Sequence, residues 1–311
     1  MKDWNKFVKG SRNFLKNYII DNRLESCVLG ISGGIDSCIS ACLAQPVCKE
    51  LNIPLIGRSL PTESNSPNEN NIAELVGDAF CSDFKVISIS SAFRAIHQLC
   101  YEGECKDHSR VINNISDLQD GNIKARLRMI YLRNLASMHK GVVIDNDNFT
   151  EWNLGFWTVG GDSPMDINLG LHYLWKTEIY ELADYLLEEQ NQSDKYQALL
   201  ASIKLIPTDG NGVSNSDCEQ FGLDNYEQVD DVLKTMYYRK PDFLTKEQHN
   251  NLRNQGVILI DTTKEILDKE YIRLIDSYNE QGVDKVMILH QNTAYKRKEL
   301  PIKPTREELG L

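Results

Sequence analysis

The segment from Leu29 to Ser37 carries residue types that bind phosphate, in the order Leu-Gly-Ile-Ser-Gly-Gly-Ile-Asp-Ser. It lies between a run with strand character and a helix of small residues, a setting in which backbone amides and a helix N-terminus attract anions. Ser32 and Ser37 can donate hydrogen bonds to phosphate oxygens. Asp36 would repel phosphate unless a divalent cation bridges the two, so the segment predicts a phosphate site with Mg²⁺. An ordinary glycine-rich turn is the alternative interpretation, and the Gly-Lys-Ser/Thr of a Walker loop is missing.

Alternating strand and helix patterns around this segment predict the elements that position it. The predicted strands are 26–31, 52–57, 85–89 and 141–145. The predicted helices are 37–44, 68–80, 91–100 and 121–139. Short strands separated by helices favour parallel pairing with right-handed crossovers. The expected fold class is therefore α/β, a Rossmann-like parallel sheet flanked by helices.

The second half of the sequence has a different character. Residues 146–170 are rich in glycine and aromatic side chains, which predicts a long loop of functional type. A helix is predicted at 176–189 and another loop at 207–218. From Tyr226 onward the spacing of apolar residues is helical, which predicts a helical C-terminal part.

Length, charge and cysteine usage limit the classes of protein. A chain of 311 residues suits one large domain or two modest ones. The formal net charge of −11 argues against a nucleic acid partner, and no apolar run approaches the roughly 18 residues that span a bilayer. The eight cysteines include no CxxC pair and no secretory signal is evident. A cytoplasmic protein with reduced thiols and no membrane partner is therefore expected.

The phosphate-binding segment resembles a known superfamily. Residues Ser32 to Ser37 are similar to the pyrophosphate-binding loop of the ATP pyrophosphatases, which cleave ATP between its α and β phosphates and adenylate an oxygen of their substrate. Further stretches resemble the NAD synthetases within that superfamily, in family order over roughly residues 25 to 301. These stretches are Gly121–Met129, Glu151 with Gly155–Thr158, Gly161–Asp162, Asp166–Asn168, the segment 216–233, and Lys296–Arg297 before Pro301.

The resemblance implies a fold and a domain organisation. It implies an adenine-nucleotide α-hydrolase-like fold in a single synthetase domain over residues 1–311. The ATP-binding α/β core would cover about 20–206 and the helical C-terminal part about 219–311. No stretch corresponds to an added glutaminase domain, so free ammonia, or ammonia from a separate protein, is the expected nitrogen source.

The resemblance also implies a reaction and its partners. ATP would adenylate the nicotinate carboxylate of deamido-NAD, and ammonia would displace AMP to give NAD⁺ with AMP and pyrophosphate. The small-molecule partners are therefore deamido-NAD, ATP and ammonia. A homodimer with a shared dinucleotide site is implied, for which Trp4, Phe7, Phe14 and the helix 121–139 are candidate interface material.

Family positions assign roles to individual residues. Asp36 and Glu151 would share Mg²⁺ and, with Lys176, form the catalytic group. The positions implied to bind ATP are Gly30, Ile31, Ser32, Gly33, Gly34, Ile35, Asp36, Ser37, Asn146, Lys176 and Thr208. The positions implied to bind the second substrate are Asn122, Arg126, Asp162, Asp166, Tyr295 and Lys296.

Several of these residues have a plainer interpretation. Glu151 could be a solvated acid, Asn122 a helix cap, and Lys124 and Arg128 the solvated face of a basic helix. The carboxylates Asp162 and Asp166 are compatible with the ribose end, with a general base or with ammonium capture.

The sequence also departs from the family. Asp145-Asn146 stands where Gly-Thr is common, Val159 where a lysine is expected at the dinucleotide, and Tyr295 where histidine precedes the lysine-arginine pair. Two alternatives therefore stay open. One is another adenylating amidase or thiolase of the ATP pyrophosphatase type, and the other is a noncatalytic nucleotide-binding homologue.

Overall fold

The computed structural model describes residues 2–104, 114–191, 193–208, 216–239, 264–294, 296–298 and 302–311. Within these ranges, five strands form one parallel sheet in the order β3-β2-β1-β4-β5. The strands are β1 (Ser26–Gly30), β2 (Leu55–Ser59), β3 (Asp83–Val86), β4 (Gly141–Asp145) and β5 (Ile167–Asn168). The predicted fold class is confirmed.

Helices connect and cover these strands. The helices in the N-terminal half are α1 (Trp4–Asn22), α2 (Ile35–Leu51), α3 (Pro67–Phe80), α4 (Ser90–Glu104), α5 (Asn114–Met138) and α6 (Phe149–Leu154). Those in the C-terminal half are α7 (Lys176–Glu189), α8 (Asp194–Lys204), α9 (Asp217–Phe221), α10 (Tyr226–Arg239), α11 (Lys264–Ser277), α12 (Glu280–Asn292) and α13 (Arg306–Leu309). No described helix is long and apolar enough to cross a membrane.

The sheet is buried on both faces, as parallel sheets require. Alternate residues of β1 point to opposite faces. Cys27 and Leu29 belong to a large apolar group, here called the sheet cluster, to which α1, α2, α3, α7 and α8 contribute. Val28 packs on the other face, with apolar side chains of α5 such as Leu132 and Leu135. The two faces together hold the carboxyl ends of β1, β2 and β4 in fixed positions.

A second apolar group, here called the helical cluster, is formed by α6 and α9 to α12, with Leu154, Phe221, Val229 and Val283 among its members. Helices α1 and α13 belong instead to the sheet cluster, through residues such as Phe7 and Leu309. Phe7 is 0% exposed, so its expected place in a subunit interface is wrong: it packs into the core of its own chain. The division at about 206 and 219 stays a prediction.

The structure also corrects several predicted elements. Helix α2 continues through Pro46 to Leu51, well beyond the predicted end at 44. Strand β3 begins at Asp83 rather than 85 and is an edge strand, partly exposed. The stretch 146–170, predicted as loop, contains α6 and β5. Helix α6 is too short for apolar periodicity to reveal; a capping box between Asn148 and Glu151 starts it.

Candidate active site

A cavity of about 610 Å³ opens at the carboxyl ends of β1, β2 and β4. This is where the strand order reverses, the usual ligand position in open α/β sheets. Most of the residues predicted to bind ligands line it. They are Gly30, Ile31, Ser32, Gly34, Ile35, Asp36, Ser37, Asn122, Arg126, Asn146, Glu151, Asp162, Lys176, Thr208 and Lys296.

Two of the predicted residues that the structure describes, Gly33 and Asp166, do not line this cavity. Gly33 lies beneath it with φ +87, and a Cβ there would come within 2.7 Å of the Glu69 carbonyl oxygen. Asp166 lies to the side, where one of its carboxylate oxygens accepts a hydrogen bond from the Val143 amide at 2.9 Å. Asp166 therefore ties β4 to the segment before β5 rather than facing a substrate. Tyr295 lies outside the described residues.

The phosphate-binding segment has the geometry of an anion site. Gly34 is the N-cap of α2, and no described side chain caps that helix end. The hydroxyls of Ser32 and Ser37 are 3.1 Å apart, and the Ser37 hydroxyl donates to the Gly34 carbonyl oxygen at 3.0 Å. Because the first amides of a helix have no partners within the helix, they can donate to an anion in the cavity.

Asp36, Glu151 and Lys176 form a compact charged group at one side of this segment. The Lys176 ammonium lies 2.5 Å from Asp36 Oδ2 and 2.9 Å from Glu151 Oε1. The side chain of Lys176 is 3% exposed, and those of both carboxylates are 15% exposed. The group brings together α2, α6 and the first residue of α7.

Asn148 aligns the two carboxylates. Its side-chain amide donates to Asp36 Oδ1 at 2.9 Å, and its Oδ1 accepts from the Glu151 amide at 3.0 Å. Glu151 Oε2 in turn accepts a hydrogen bond from the Asn148 amide at 3.2 Å. Glu151 is thus both a capping residue, through Oε2, and a member of the charged group, through Oε1. The interpretation of Glu151 as a solvated acid does not fit this burial.

The protonation of the group follows from burial and charge. Burial raises the pKa of Glu151 to about 7, although the Lys176 charge opposes this rise. Burial alone would lower the pKa of Lys176, but the charges of Asp36 and Glu151 outweigh it and hold that pKa well above its ordinary value. Lys176 is therefore a permanent cation, and Glu151 is a carboxyl group poised near neutrality.

The residues present fit a magnesium ion. Asp36 and Glu151 both lie against the Lys176 ammonium, beside a helix end suited to phosphate, and each accepts only one hydrogen bond or ion pair per oxygen from the described residues. Mg²⁺ prefers carboxylate, phosphate and water oxygens. A second group, Asp145, Asp147 and His172, has ligand atoms within 4.8 Å of one another. Asp145 already accepts four hydrogen bonds, two on each carboxylate oxygen, which fills its capacity of about four, so we do not assign a metal there.

The C-terminal helices position Lys176. Its backbone amide donates to the Thr150 hydroxyl at 2.7 Å, and that hydroxyl donates to Asp230 on α10 at 2.5 Å. The Thr177 amide donates to the same carboxylate at 2.9 Å. The ring of Tyr226 lies 5.3 Å from the Lys176 ammonium. Lys176 therefore depends on α6 and α10 as well as on its own helix.

Hydrogen bonds from α5 and from the tail fix the other side of the cavity. The Thr158 hydroxyl donates to Asn122 Oδ1 at 2.8 Å, and the Thr158 amide donates to Asp162 at 2.7 Å. The Lys296 ammonium donates to the carbonyl oxygen of Gly155 at 2.7 Å and to that of Trp157. Asn122 lies inside α5, so the helix-cap interpretation is wrong.

The basic residues of α5 are not simply a solvated face. Lys124 is buried and donates to the Ser64 hydroxyl at 3.1 Å. Arg128 donates to the Leu60 carbonyl oxygen at 3.2 Å and lines the cavity. Arg126 is exposed at the cavity mouth, where its Nε donates to the Val159 carbonyl oxygen at 3.3 Å.

Several residues that line the cavity have no individual role predicted from the sequence, although two of them lie in stretches that resemble the family. These residues are Arg58, Glu69, Asp147, Trp157 and Asp217. Asp147 had a usable signal, because it follows the carboxyl end of β4 by two residues. Burial and the charges of Asp145 and Glu151 raise its pKa well above the ordinary value. Asp217 comes from α9, which no local pattern connects with the sheet.

Comparison with known proteins assigns the family. The model of the NAD synthase family matches residues 7–273. The NH(3)-dependent NAD(+) synthetase of Mannheimia succiniciproducens is 31% identical over 211 residues, which cover 68% of this chain and 76% of that protein. The corresponding synthetase of Thermoplasma volcanium is 26% identical over 248 residues, which cover 78% and 90%.

Solved structures share the fold. An NMN synthetase from Francisella tularensis has a TM-score of 0.67 at 22% identity, covering 96% of this chain and 98% of its own. An NH3-dependent NAD synthetase from Campylobacter jejuni, in complex with nitrate, has a TM-score of 0.61 at 22% identity, covering 96% and 99%. Because the family model covers most of the chain and the fold agrees, the chain belongs to the NAD synthase family.

Proposed function

We propose that this protein is an ammonia-dependent NAD synthetase, a ligase that forms an amide bond at the expense of ATP. The nicotinate carboxylate of deamido-NAD attacks the α-phosphorus of ATP, and pyrophosphate leaves. Ammonia then attacks the carbonyl carbon of the acyl adenylate, AMP leaves, and a proton is lost. The observation that carries this proposal is the Asp36–Glu151–Lys176 group beside the α2 N-terminus, in a chain of the NAD synthase family.

The residues of the phosphate-binding segment bind and orient the triphosphate. The first amides of α2 donate to the β and γ phosphates, where negative charge accumulates as pyrophosphate leaves. The hydroxyls of Ser32 and Ser37 rotate from their present partners to donate to the same phosphates. Lys176 adds a permanent positive charge at the same place. Asp36 and Glu151 would hold Mg²⁺, which supplies charge neutralisation at the phosphates. Catalysis is thus by positioning and electrostatics, without a covalent nucleophile of the protein.

The opposite wall binds the pyridine nucleotide. Arg126 at the cavity mouth suits a phosphate of that substrate, and Asn122, Asp162 and Lys296 hold the Gly155–Asp162 loop in place. Because the two walls face each other across one cavity, the carboxylate and the α-phosphorus can approach in a water-poor space. Thr208, whose hydroxyl donates to Glu69, closes the ATP side.

The test is a coupled assay of the purified protein with ATP, Mg²⁺, ammonium and deamido-NAD. Equal amounts of NAD⁺ and AMP are expected, with loss of both in Asp36→Ala. Asp184→Ala, an exposed carboxylate on α7, is the matched control and keeps the activity. AMP without NAD⁺, or no turnover in the unchanged protein, would refute the proposed substrate and direct the search to other carboxylates.

A second candidate substrate is the corresponding mononucleotide. Val159 stands at the cavity mouth, 41% exposed, where the family resemblance implies a lysine at the dinucleotide. Loss of that charge weakens binding of the AMP half of deamido-NAD, which nicotinate mononucleotide lacks. Parallel assays with deamido-NAD and with nicotinate mononucleotide identify the preferred substrate through the ratio of their kcat/KM values. A larger value for the mononucleotide would make the protein an NMN-forming enzyme of the same chemistry.

We also propose a homodimer in the cytoplasm. Helix α5 leaves Ile130 and Met138 exposed on the side that faces away from the sheet, 58% and 70% respectively. Contiguous exposed apolar patches mark interaction sites, and we propose these side chains as part of such a patch against a second copy. Sedimentation equilibrium gives the mass directly, and cell fractionation tests the location. A monomer at micromolar concentration would contradict the dimer.

A further inference from the structure

The carboxyl end of β4 carries a buried carboxylate that the proposed mechanism does not use. Asp145 is 0% exposed. One of its oxygens accepts hydrogen bonds from the Met165 amide at 2.7 Å and the Ser163 hydroxyl at 3.2 Å. The other accepts from the Asp147 amide at 2.9 Å and the Asn168 side chain at 3.1 Å. A single residue thus connects the end of β4 with three positions of the 163–168 segment.

His172 completes this arrangement. Its side chain is 0% exposed, and its Nε2 lies 3.4 Å from Asp145 Oδ1. Within the described ranges, neither ring nitrogen has a hydrogen-bond partner, and the Asp145 carboxylate is the nearest acceptor to Nε2. A buried imidazole whose nitrogens lack hydrogen bonds is costly, so its presence here calls for an explanation.

The imidazole connects Asp145 with the cavity wall through aromatic contacts. The His172 ring lies 4.8 Å from the Trp152 ring, and Trp152 stacks on Trp157 at 4.9 Å with 4° between the planes. Trp157 lines the cavity, and the Lys296 ammonium lies 5.3 Å from its ring. Ring contacts thus connect His172 with a residue that lines the cavity.

We propose that Asp145 and His172 form a positioning pair for one wall of the active site, the pyridine-nucleotide wall. This wall is the side of the cavity formed by Arg126, Lys296 and the Gly155–Asp162 loop. Asp145 acts through the backbone of Met165, which lines the cavity, and His172 acts through Trp152 and Trp157. Neither residue lines the cavity. The inference rests on the proposed function, because it concerns the second substrate of that reaction.

A metal ion is the competing explanation for the same residues. Asp145, Asp147 and His172 offer two carboxylates and an imidazole. A carboxylate has about four lone-pair directions, and on Asp145 the described N–H and O–H donors already take them. A metal ligand at Asp145 would have to break one of these hydrogen bonds, so the geometry favours the positioning pair.

The ATP side is supported separately. Asn148 aligns Asp36 and Glu151, and the Thr150–Asp230 contact holds the Lys176 backbone. Asp230 is buried as completely as Asp145, and it accepts hydrogen bonds from Thr150 and Thr177. The two buried carboxylates therefore form a matched pair for an experiment, since one supports each wall.

The experiment measures KM for each substrate in full-length Asp145→Asn, with Asp230→Asn as the matched control. Asp145→Asn is expected to raise the KM for deamido-NAD at least tenfold and that for ATP less than threefold. Asp230→Asn is expected to raise the KM for ATP more than that for deamido-NAD. Equal rises for both substrates in Asp145→Asn, or the same pattern in both variants, would overturn the inference.

His172→Phe keeps an aromatic ring against Trp152 and removes both nitrogens, which guards against a failure of Asp145→Asn to fold. It is expected to raise the KM for deamido-NAD at least threefold, and the double variant is expected to equal Asp145→Asn because the two residues act as one unit. An unchanged KM in His172→Phe, or additive effects, would overturn the pair. Inactivity of the unchanged protein would instead refute the proposed function.

Discussion

Replacing Lys176 by methionine tests whether the charged group at the ATP side is held together by its ammonium. Methionine keeps an unbranched apolar stem and removes the charge that lies 2.5 Å from Asp36 and 2.9 Å from Glu151. Removing one partner of a buried ion pair leaves an uncompensated charge and costs about 3–5 kcal/mol of unfolding free energy. We expect a loss of that size in Lys176→Met near neutral pH.

The loss depends on pH, because Glu151 can take up a proton. Its pKa in the folded protein is raised from 4.5 to about 7, so the stability it contributes is present at low pH and is lost as the pH rises to about 7. Lys176 opposes this rise, so in Lys176→Met the pKa of Glu151 is higher still. The variant therefore keeps losing stability above about pH 7 while the unchanged protein does not. The difference between the two proteins therefore grows above about pH 7, by at most about 1.4 kcal/mol per pH unit.

Urea unfolding at several pH values, without nucleotide or divalent cation, measures this difference. Lys195→Met is the matched control. Lys195 donates to the Gln45 side chain at 2.9 Å and forms no ion pair with a carboxylate of the described chain. Its effect is expected to stay within about 1 kcal/mol and to be independent of pH. A pH-independent difference for Lys176→Met would refute the assignment of the raised pKa to Glu151.

Three further predictions follow from the site and the surface. Gly33→Ala places a Cβ against the Glu69 backbone at a φ of +87, so we expect at least a tenfold loss of ATP affinity by calorimetry. A retained affinity would contradict the close packing of this turn. Ile130→Asp puts a charge on the exposed face of α5 and is expected to convert the dimer to monomer in sedimentation equilibrium; an unchanged mass would exclude that face. Removal of Mg²⁺ by a chelator is expected to abolish NAD⁺ formation reversibly, and full activity without divalent cation would contradict the role of Asp36 and Glu151.

The phosphate-binding segment could be predicted from sequence because its chemistry is local. Residues Gly30 to Ser37 form a strand end, a glycine turn and a helix start within eight positions. The residue types alone indicated anion binding, and Asp36 indicated a cation. The parallel sheet was predictable for a similar reason, since short buried strands separated by helices leave few other arrangements.

The contacts between distant segments could not be read from the sequence. Asp36 and Lys176 are 140 positions apart, and their ion pair depends on the packing of α2 against the start of α7. Asp166 lies in the same motif as Asp162, yet it does not line the cavity. Its carboxylate instead accepts a hydrogen bond from the Val143 amide of β4. Helix α6 was hidden, since six residues show no apolar period and its cap lies in a stretch rich in loop-forming residues.

The active site lies where the sheet cluster and the helical cluster meet. The sequence could therefore indicate each charged residue individually, but it could not indicate the distances between them. Ile35 and Ile39 fix the helix of Asp36 in the sheet cluster, whereas Leu154 fixes the helix of Glu151 in the helical cluster. Because two carboxylates repel each other, nothing in the chemistry of Asp36 and Glu151 themselves brings them together. Their separation is set by packing between the clusters, and the cation between them offsets the repulsion that this packing imposes.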